Sequence, residues 1–297
     1  MKRKWIIAAA CAVLLSGMEA MACTGLLVGK KASVDGSVMI SYAADSHTLY
    51  GELYRWPAAT WPKGAKLEVR EWDTNKPLGQ IPQVEQTYSV VGNMNEHQVA
   101  ITESTWGGRP ELVDTTGIID YGSLIYIALQ RSKSAREAIK VMTDLVKDYG
   151  YYSSGETFSI ADKNEAWVME LIGKGPGNKG AVWVAIRVPD DCISAHANQS
   201  RIQQIPFDDK ENCMYSPDVV SLAREKGYFS GKDKDFSFQK AYCPYDFSAL
   251  RGCEARVWSF FRKYDKTMDK YTDFIKGDPS KEPMPLYVKP DRLLSVQ

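Results

Sequence analysis

Residues 5–15 form an apolar run behind a basic start at Lys2, Arg3 and Lys4, and Ala20-Met21-Ala22 follows a few residues later. The run has the length of an export-signal core and is too short for a stable membrane span, and small-x-small before a cut is the cleavage pattern of such signals. Cleavage after Ala22 makes Cys23 the first residue of the mature chain. This constrains the fold strongly, because TGLLVG follows at once and reads as a buried strand. Asp35-Gly36 then turns the chain, and residues 37–42 read as a returning strand. The mature protein is therefore expected to start inside its own sheet. Residues 1–22 read as a cleaved signal and residues 23–297 as one domain. No other stretch is apolar for long enough to cross a bilayer. The expected location is periplasmic or extracellular. Signal peptidase is the expected maturation partner, with self-cleavage as a second route to the same terminus.

A cysteine at a new terminus has two uses. It can carry lipid, anchoring an envelope protein, or act as a nucleophile. Lipoprotein signals favour leucine three residues before the cysteine and a polar tether after it; here Ala20 stands at that position, and a core strand follows. A nucleophile at the head of a core strand is held rigidly, as catalysis requires. The chemistry is self-contained. A free thiol and a free α-amine titrate about one pH unit apart or less. The amine can take the thiol proton, then return it to the leaving group, with no histidine needed.

Further along, residues 87–92 and 99–102 alternate around Met94-Asn-Glu-His97 and predict a hairpin. Residues 121–131 predict a helix. Ser134 with Glu137 three residues on is a capping box opening a second helix, whose apolar face runs through Ala138, Ile139, Met142, Leu145 and Val146. Gly150 is a natural stop. Residues 157–161, 166–172 and 181–188 return to strand character, and 216–225 and 254–264 read as helices. There is no internal repeat or low-complexity linker. Strands, two helices, strands and then helices predict a layered α+β domain.

Removing residues 1–22 leaves 34 basic and 36 acidic residues, a net charge of −2. That balance gives no electrostatic case for nucleic acid or an anionic membrane. Five cysteines remain, so at least one thiol is unpaired or pairs between chains. If it is Cys23, then Cys192, Cys213, Cys243 and Cys253 could form two disulfides in any of three pairings. These four read as structural rather than reactive. No cysteine or histidine spacing suggests a metal site.

The segments ACTGLLVGKKASVDGSVMI, VGNMNEHQVAITEST, YGSLIYIALQRSKSAREAIKVM and SAHANQSRI together resemble the PepD-type dipeptidases of the N-terminal nucleophile hydrolases. The resemblance covers nearly all of residues 23–297. It implies a four-layer αββα sandwich and cleavage of dipeptides or short peptides through a thioester on Cys23. It also implies that no metal or organic cofactor takes part. Relatives of this kind continue well beyond the stretch DRLLSVQ, so the domain is expected to be incomplete at its C-terminus. Homo-oligomer formation stays open.

The resemblance extends to the bile-salt and penicillin V amidases and carries site residues by position. Cys23 matches the nucleophile. Asp45, in YAADSH, matches an aspartate that holds the nucleophile's amine. Asn198, in HANQS, matches an asparagine of the oxyanion hole, and Arg256, in CEARVW, an arginine beside the nucleophile. Thr105 stands where those amidases carry another oxyanion residue. They also place an arginine three residues before the aspartate; here it is Tyr42, so contacts that depend on that arginine are not expected. By residue type alone Asp45 could cap a turn, Asn198 could satisfy a loop and Arg256 could lie on a helix surface. Asn95 and Glu96 read as turn residues. Glu103 falls beside a predicted strand end, where a structural place is favoured over substrate contact. His47, His97 and His196 read as structural or exposed. WGGRP, residues 106–110, reads as a plain turn, with lining of the cleft as the alternative. Two other functions stay open: an amidase acting on another acyl amide, and an envelope lipoprotein anchored through Cys23.

Overall fold

The computed structural model describes residues 22–45 and 50–297. The basic and apolar segments of the signal, Cys11, Ala20 and His47 lie outside the described residues.

Two antiparallel sheets dominate an α+β fold. In the smaller, Ala22–Val28 lies between Met39–Asp45 and Ile193–His196, with Tyr287–Val288 beyond the latter. Its register pairs Cys23 with Ala44 and Gly25 with both Tyr42 and His196. Cys23 is thus near the head of an inner strand, as its sequence predicts. Along that strand Cys23, Gly25 and Leu27 are buried in alternation, the period expected when one face of a strand meets another layer.

The larger sheet has eight strands, and its long members are Ala100–Trp106, Gly155–Ala161, Ala166–Gly173 and Ala181–Val188. Gly155–Ala161 and Ala166–Gly173 are buried along their whole length, which explains why they read as near-continuous apolar runs. One face of this sheet packs through Phe158, Ile160, Trp167 and Met169 against the helices Tyr121–Arg131 and Ala135–Tyr149. On its other face Val168, Val184 and Ile186 join Leu27 of the smaller sheet and residues of the helices Val219–Glu225 and Phe238–Tyr242. Val28, Ile193 and Ala195 of the smaller sheet pack against Val257 and Phe261 of the helix Ala255–Tyr264. No described helix is long and apolar enough to cross a membrane.

The second helix starts as predicted. The Ser134 hydroxyl accepts from the Glu137 N–H at 3.2 Å, while the Glu137 carboxylate accepts from Lys133 N–H at 2.7 Å, one residue earlier than a standard box. Gly150 ends the helix at a φ of 79°. The hairpin expected over residues 87–102 is instead a three-strand meander. Val90–Val91 pairs with Met94–Asn95, which pairs in turn with Ala100–Trp106. Asn95 secures it, donating to the carbonyls of Leu129 and Ser132 and accepting from the His97 and Val99 N–H groups.

The two disulfides considered from the cysteine count are not formed: Cys23, Cys192, Cys213, Cys243 and Cys253 are all free thiols. They sit on separate elements and face separate partners. Cys192 lies against the Asp191 carboxylate and Cys253 against the Asn198 carbonyl. Burial raises the Cys192 and Cys243 thiols to about 11 and that of Cys213 to about 12, as expected of inert core cysteines.

Candidate active site

Cys23 is 3% exposed and lies at the floor of a cavity of about 330 Å³. Its main-chain N–H donates to the Asn198 Oδ1 at 2.7 Å. Asn198 is itself fixed from two sides: Arg256 donates to the same Oδ1 at 2.8 Å, and the Asn198 Nδ2 donates to the Thr105 carbonyl at 2.6 Å. An amide nitrogen has two hydrogens, and the second has no partner among the described residues. Asn198 has a φ of 53°, a left-handed conformation that asparagine tolerates better than most residues. Arg256 also donates to the Cys23 carbonyl at 2.7 Å, the Thr24 hydroxyl at 3.0 Å and the Ala197 carbonyl at 3.2 Å. One guanidinium thus ties the cysteine strand to the turn that carries Asn198, a fork geometry that lysine lacks.

Beneath this cluster His196 joins the two sheets. Its Nδ1 lies 2.6 Å from the Ser104 hydroxyl and its Nε2 2.7 Å from the Ser159 hydroxyl. The ring fits because residue 25 is glycine; a Cβ there would stand 2.3 Å from the imidazole Nε2. Burial, with Arg201 and Arg256 nearby, pushes the imidazole down to about 3, so it stays neutral at ordinary pH. It is a structural histidine, as the sequence suggested, and does not touch the thiol.

Asp45 lines the cavity and lies opposite Ala22 in the strand pair. The Cys23 N–H is taken by Asn198, so with Ala22 in place the Asp45 side chain does not hold it. The Thr105 hydroxyl donates to the Glu156 carboxylate at 2.6 Å, and its carbonyl accepts from Asn198. The WGGRP turn stays out of the cavity: Trp106 is buried, and Arg109 donates to the Ala241 carbonyl and stacks on Tyr228 at 4.3 Å.

The carboxylates are what sequence reasoning undervalued. Glu103 is 2% exposed, reaches within 3.9 Å of the Cys23 sulfur and accepts from the Tyr42 hydroxyl. Glu156 lies behind it, fully buried. Burial, reinforced by the charge on Glu103, holds Glu156 well above the usual carboxylate range. Burial also raises Glu103, but Tyr42, Glu156 and Thr105 oppose that rise. Of the two, Glu156 is held further above the usual range, and Glu103 is the one that faces the cavity. Burial, then Glu103 and Glu156, push the Cys23 thiol up to about 12, while the Asp45 main-chain N–H pulls the other way. With Ala22 attached, the sulfur is an unactivated thiol.

Much of the remaining wall is aromatic. Trp56 and Tyr126 stack at 5.2 Å, and Tyr54 meets Trp72 edge-on at 4.9 Å. Trp72 lies flat on the start of the helix Tyr121–Arg131 because residue 122 is glycine; a Cβ would fall 2.4 Å from the indole. A wider cavity of about 630 Å³, lined by Leu26, Met39 and Phe260 among others, contains none of the candidate residues.

The model of peptidase family C69 matches residues 22–55 and 48–297, which together include every described residue. The chain belongs to peptidase family C69. It is 27% identical over 94% of its length to a probable dipeptidase of Latilactobacillus sakei, covering 59% of that protein. It is also 27% identical over 96% of its length to a probable dipeptidase of Salmonella dublin, covering 66%, and over 94% to dipeptidase A of Lactobacillus helveticus, covering 60%. This C69 chain thus spans about three fifths to two thirds of the length of these curated relatives.

Proposed function

We propose that the chain is an exported cysteine dipeptidase of the N-terminal nucleophile type, activated by removal of residues 1–22. The reading rests above all on one observation, the Cys23 main-chain nitrogen held 2.7 Å from an asparagine oxygen that Arg256 braces. A nitrogen aimed at a fixed acceptor is what a nucleophile that uses its own amine requires. The order in which the helices and the two sheets pack supports the αββα sandwich of such hydrolases, and the dipeptidase names of the relatives support the substrate.

In the mature chain the Cys23 amine takes the thiol proton, and the sulfur attacks the carbonyl carbon of the scissile bond. The free Asn198 amide hydrogen stabilises the oxyanion; losing one such donor typically costs roughly 2.7–4 kcal/mol. The amine then protonates the departing amino acid, leaving a thioester, and water activated by the same amine releases the product. Before the cut, the nitrogen of Cys23 is an amide without basicity, so signal removal doubles as activation. Cys23→Ala should abolish dipeptide hydrolysis in purified protein that begins at residue 23, with little change in Tm because one small side chain at a cavity floor is lost. Wild-type turnover by that variant would falsify the proposal.

A further inference from the structure

A buried carboxylate beside the nucleophile needs a counterpart. Among the described residues Glu103 has no lysine or arginine partner, although it is 2% exposed. Its neighbours are the neutral Tyr42 and Thr105 hydroxyls and Glu156. The cavity it faces is lined by two further carboxylates, Asp45 and Glu52, and by aromatic rings, with no basic side chain among the described lining residues. Burial disfavours the ionised form of Glu103 while it stands alone, and an ammonium group entering this ring-walled cavity would pair with that form and stabilise it.

We propose that Glu103 anchors the α-ammonium group of the substrate residue whose carbonyl Cys23 attacks, so that the site selects aminoacyl substrates with a free N-terminus. The inference rests on the dipeptidase reading above and names the group that recognises one end of the dipeptide. The distances close. In an amino acid the amine nitrogen lies about 2.5 Å from the carbonyl carbon, through bonds of ~1.46 and ~1.52 Å. Attack needs sulfur roughly 3–3.5 Å from that carbon, which puts the nitrogen about 4 Å from the sulfur. A charge-assisted contact of about 2.8 Å from nitrogen to carboxylate then completes a triangle whose third side is the observed 3.9 Å from Glu103 Oε1 to the sulfur. An acyl group without an amine would leave this buried carboxylate without a cationic partner, which disfavours the acyl-amide alternative.

The test uses protein beginning at Cys23 and two substrates, phenylalanyl-glycine and its analogue lacking the amine, 3-phenylpropanoyl-glycine. The wild type should prefer the amine form by at least about 100-fold in kcat/KM, because a site built around a polar group rejects an analogue without it. Glu103→Gln keeps an acceptor for Tyr42 and should lose most of that preference, read as the ratio of kcat/KM for the two substrates, in which any change in the thiol itself cancels, with the loss chiefly in KM for the amine form. Equal losses on both substrates would assign Glu103 to the thiol or to the framework and overturn the inference. So would a wild type indifferent to the amine, a result that needs no variant to fold. Calorimetric binding of both compounds to Cys23→Ala separates the two readings. Glu103-dependent binding of the amine form without turnover in the wild type would sink the dipeptidase reading and keep this one. Dipeptide turnover indifferent to the amine would do the reverse.

Discussion

Adding one methionine before Cys23 should silence the enzyme and slow the thiol itself by a calculable factor. With a residue joined to its nitrogen, the Cys23 thiol titrates near 12 rather than 9.0, because it is buried and faces the charge of the Glu103–Glu156 pair. At pH 7 about one such thiol in 10⁵ is ionised, against about one in 100 at the ordinary value, a population loss of roughly 10³. A more basic thiolate is a better nucleophile, and a Brønsted slope of about 0.4–0.5 recovers roughly 15–30-fold. Alkylation of Cys23 by iodoacetamide should therefore be roughly 30–60-fold slower in the extended protein than in protein starting at Cys23. The new α-ammonium, an adjacent positive charge, brings the thiol back to its ordinary range or below. Site-resolved mass spectrometry separates Cys23 from the four other free thiols, which act as internal controls because their surroundings do not change. Dipeptide turnover should fall further than alkylation, since the extended chain also loses its general base, an effect of about 10²–10⁴. Equal alkylation rates in the two proteins would refute the activation argument. Equal turnover, together with a dead His97 or His47 variant, would move the mechanism to a cysteine–histidine pair.

Asn198→Ala should lower kcat by about 10²–10³ on simple dipeptides, measured with circular dichroism to confirm the fold. His196→Gln should test a stability effect rather than a chemical one. The imidazole is held down to about 3, so the unfolded chain binds a proton that the folded chain refuses as pH falls from about 6.5 towards 3. That group contributes stability above its unfolded pKa and loses it on acidification, at up to about 1.4 kcal/mol per pH unit. Glu170, which burial raises to about 7, acts with opposite sign above its own unfolded value. The difference in urea-unfolding free energy between wild type and His196→Gln therefore isolates the histidine, and a difference that stays flat with pH would count against its burial as neutral. Tyr42→Arg should bring a permanent cation onto Glu103 and cut turnover of free-amine dipeptides at least about tenfold, read as a rise in KM.

Much of the scaffold was legible because its signals are local. The helix Tyr121–Arg131 and the strand Ala181–Val188 have the predicted limits, since periodicity and end signals coincide there. The meander near Asn95 read as one hairpin because strands of two residues carry too little alternation to be counted. The helix Phe238–Tyr242 went unseen, because five residues barely exceed one turn. Within the site, Asn198 and Arg256 stood out through resemblance, and their placement against Cys23 depends on contacts across 175 and 233 residues. The acidic pair was illegible for a different reason. Glu103 and Glu156 are 53 positions apart and become neighbours only through the strand register, in which Glu103 faces Phe158 and Thr105 faces Glu156. Two glutamates inside apolar strands were the available signal, because a strand interior rarely holds such residues without a use.

The departure at residue 42 takes its meaning from that pair. Where the amidases resembled in sequence carry arginine, this chain has a tyrosine that donates to Glu103. An arginine in this place would form an ion pair with the carboxylate and use up its charge inside the protein. A phenol orients the carboxylate and leaves it free to pair with a cation from outside the protein. Burial, and then this carboxylate 3.9 Å away, hold the thiol up while Ala22 remains attached. On the reading proposed above, an ammonium group on Cys23, and then one on a substrate, would offset these carboxylates and favour the thiolate. On that reading one buried carboxylate would both help to hold the thiol of the uncut chain inactive and make the cut enzyme depend on the N-terminal amine of what it binds.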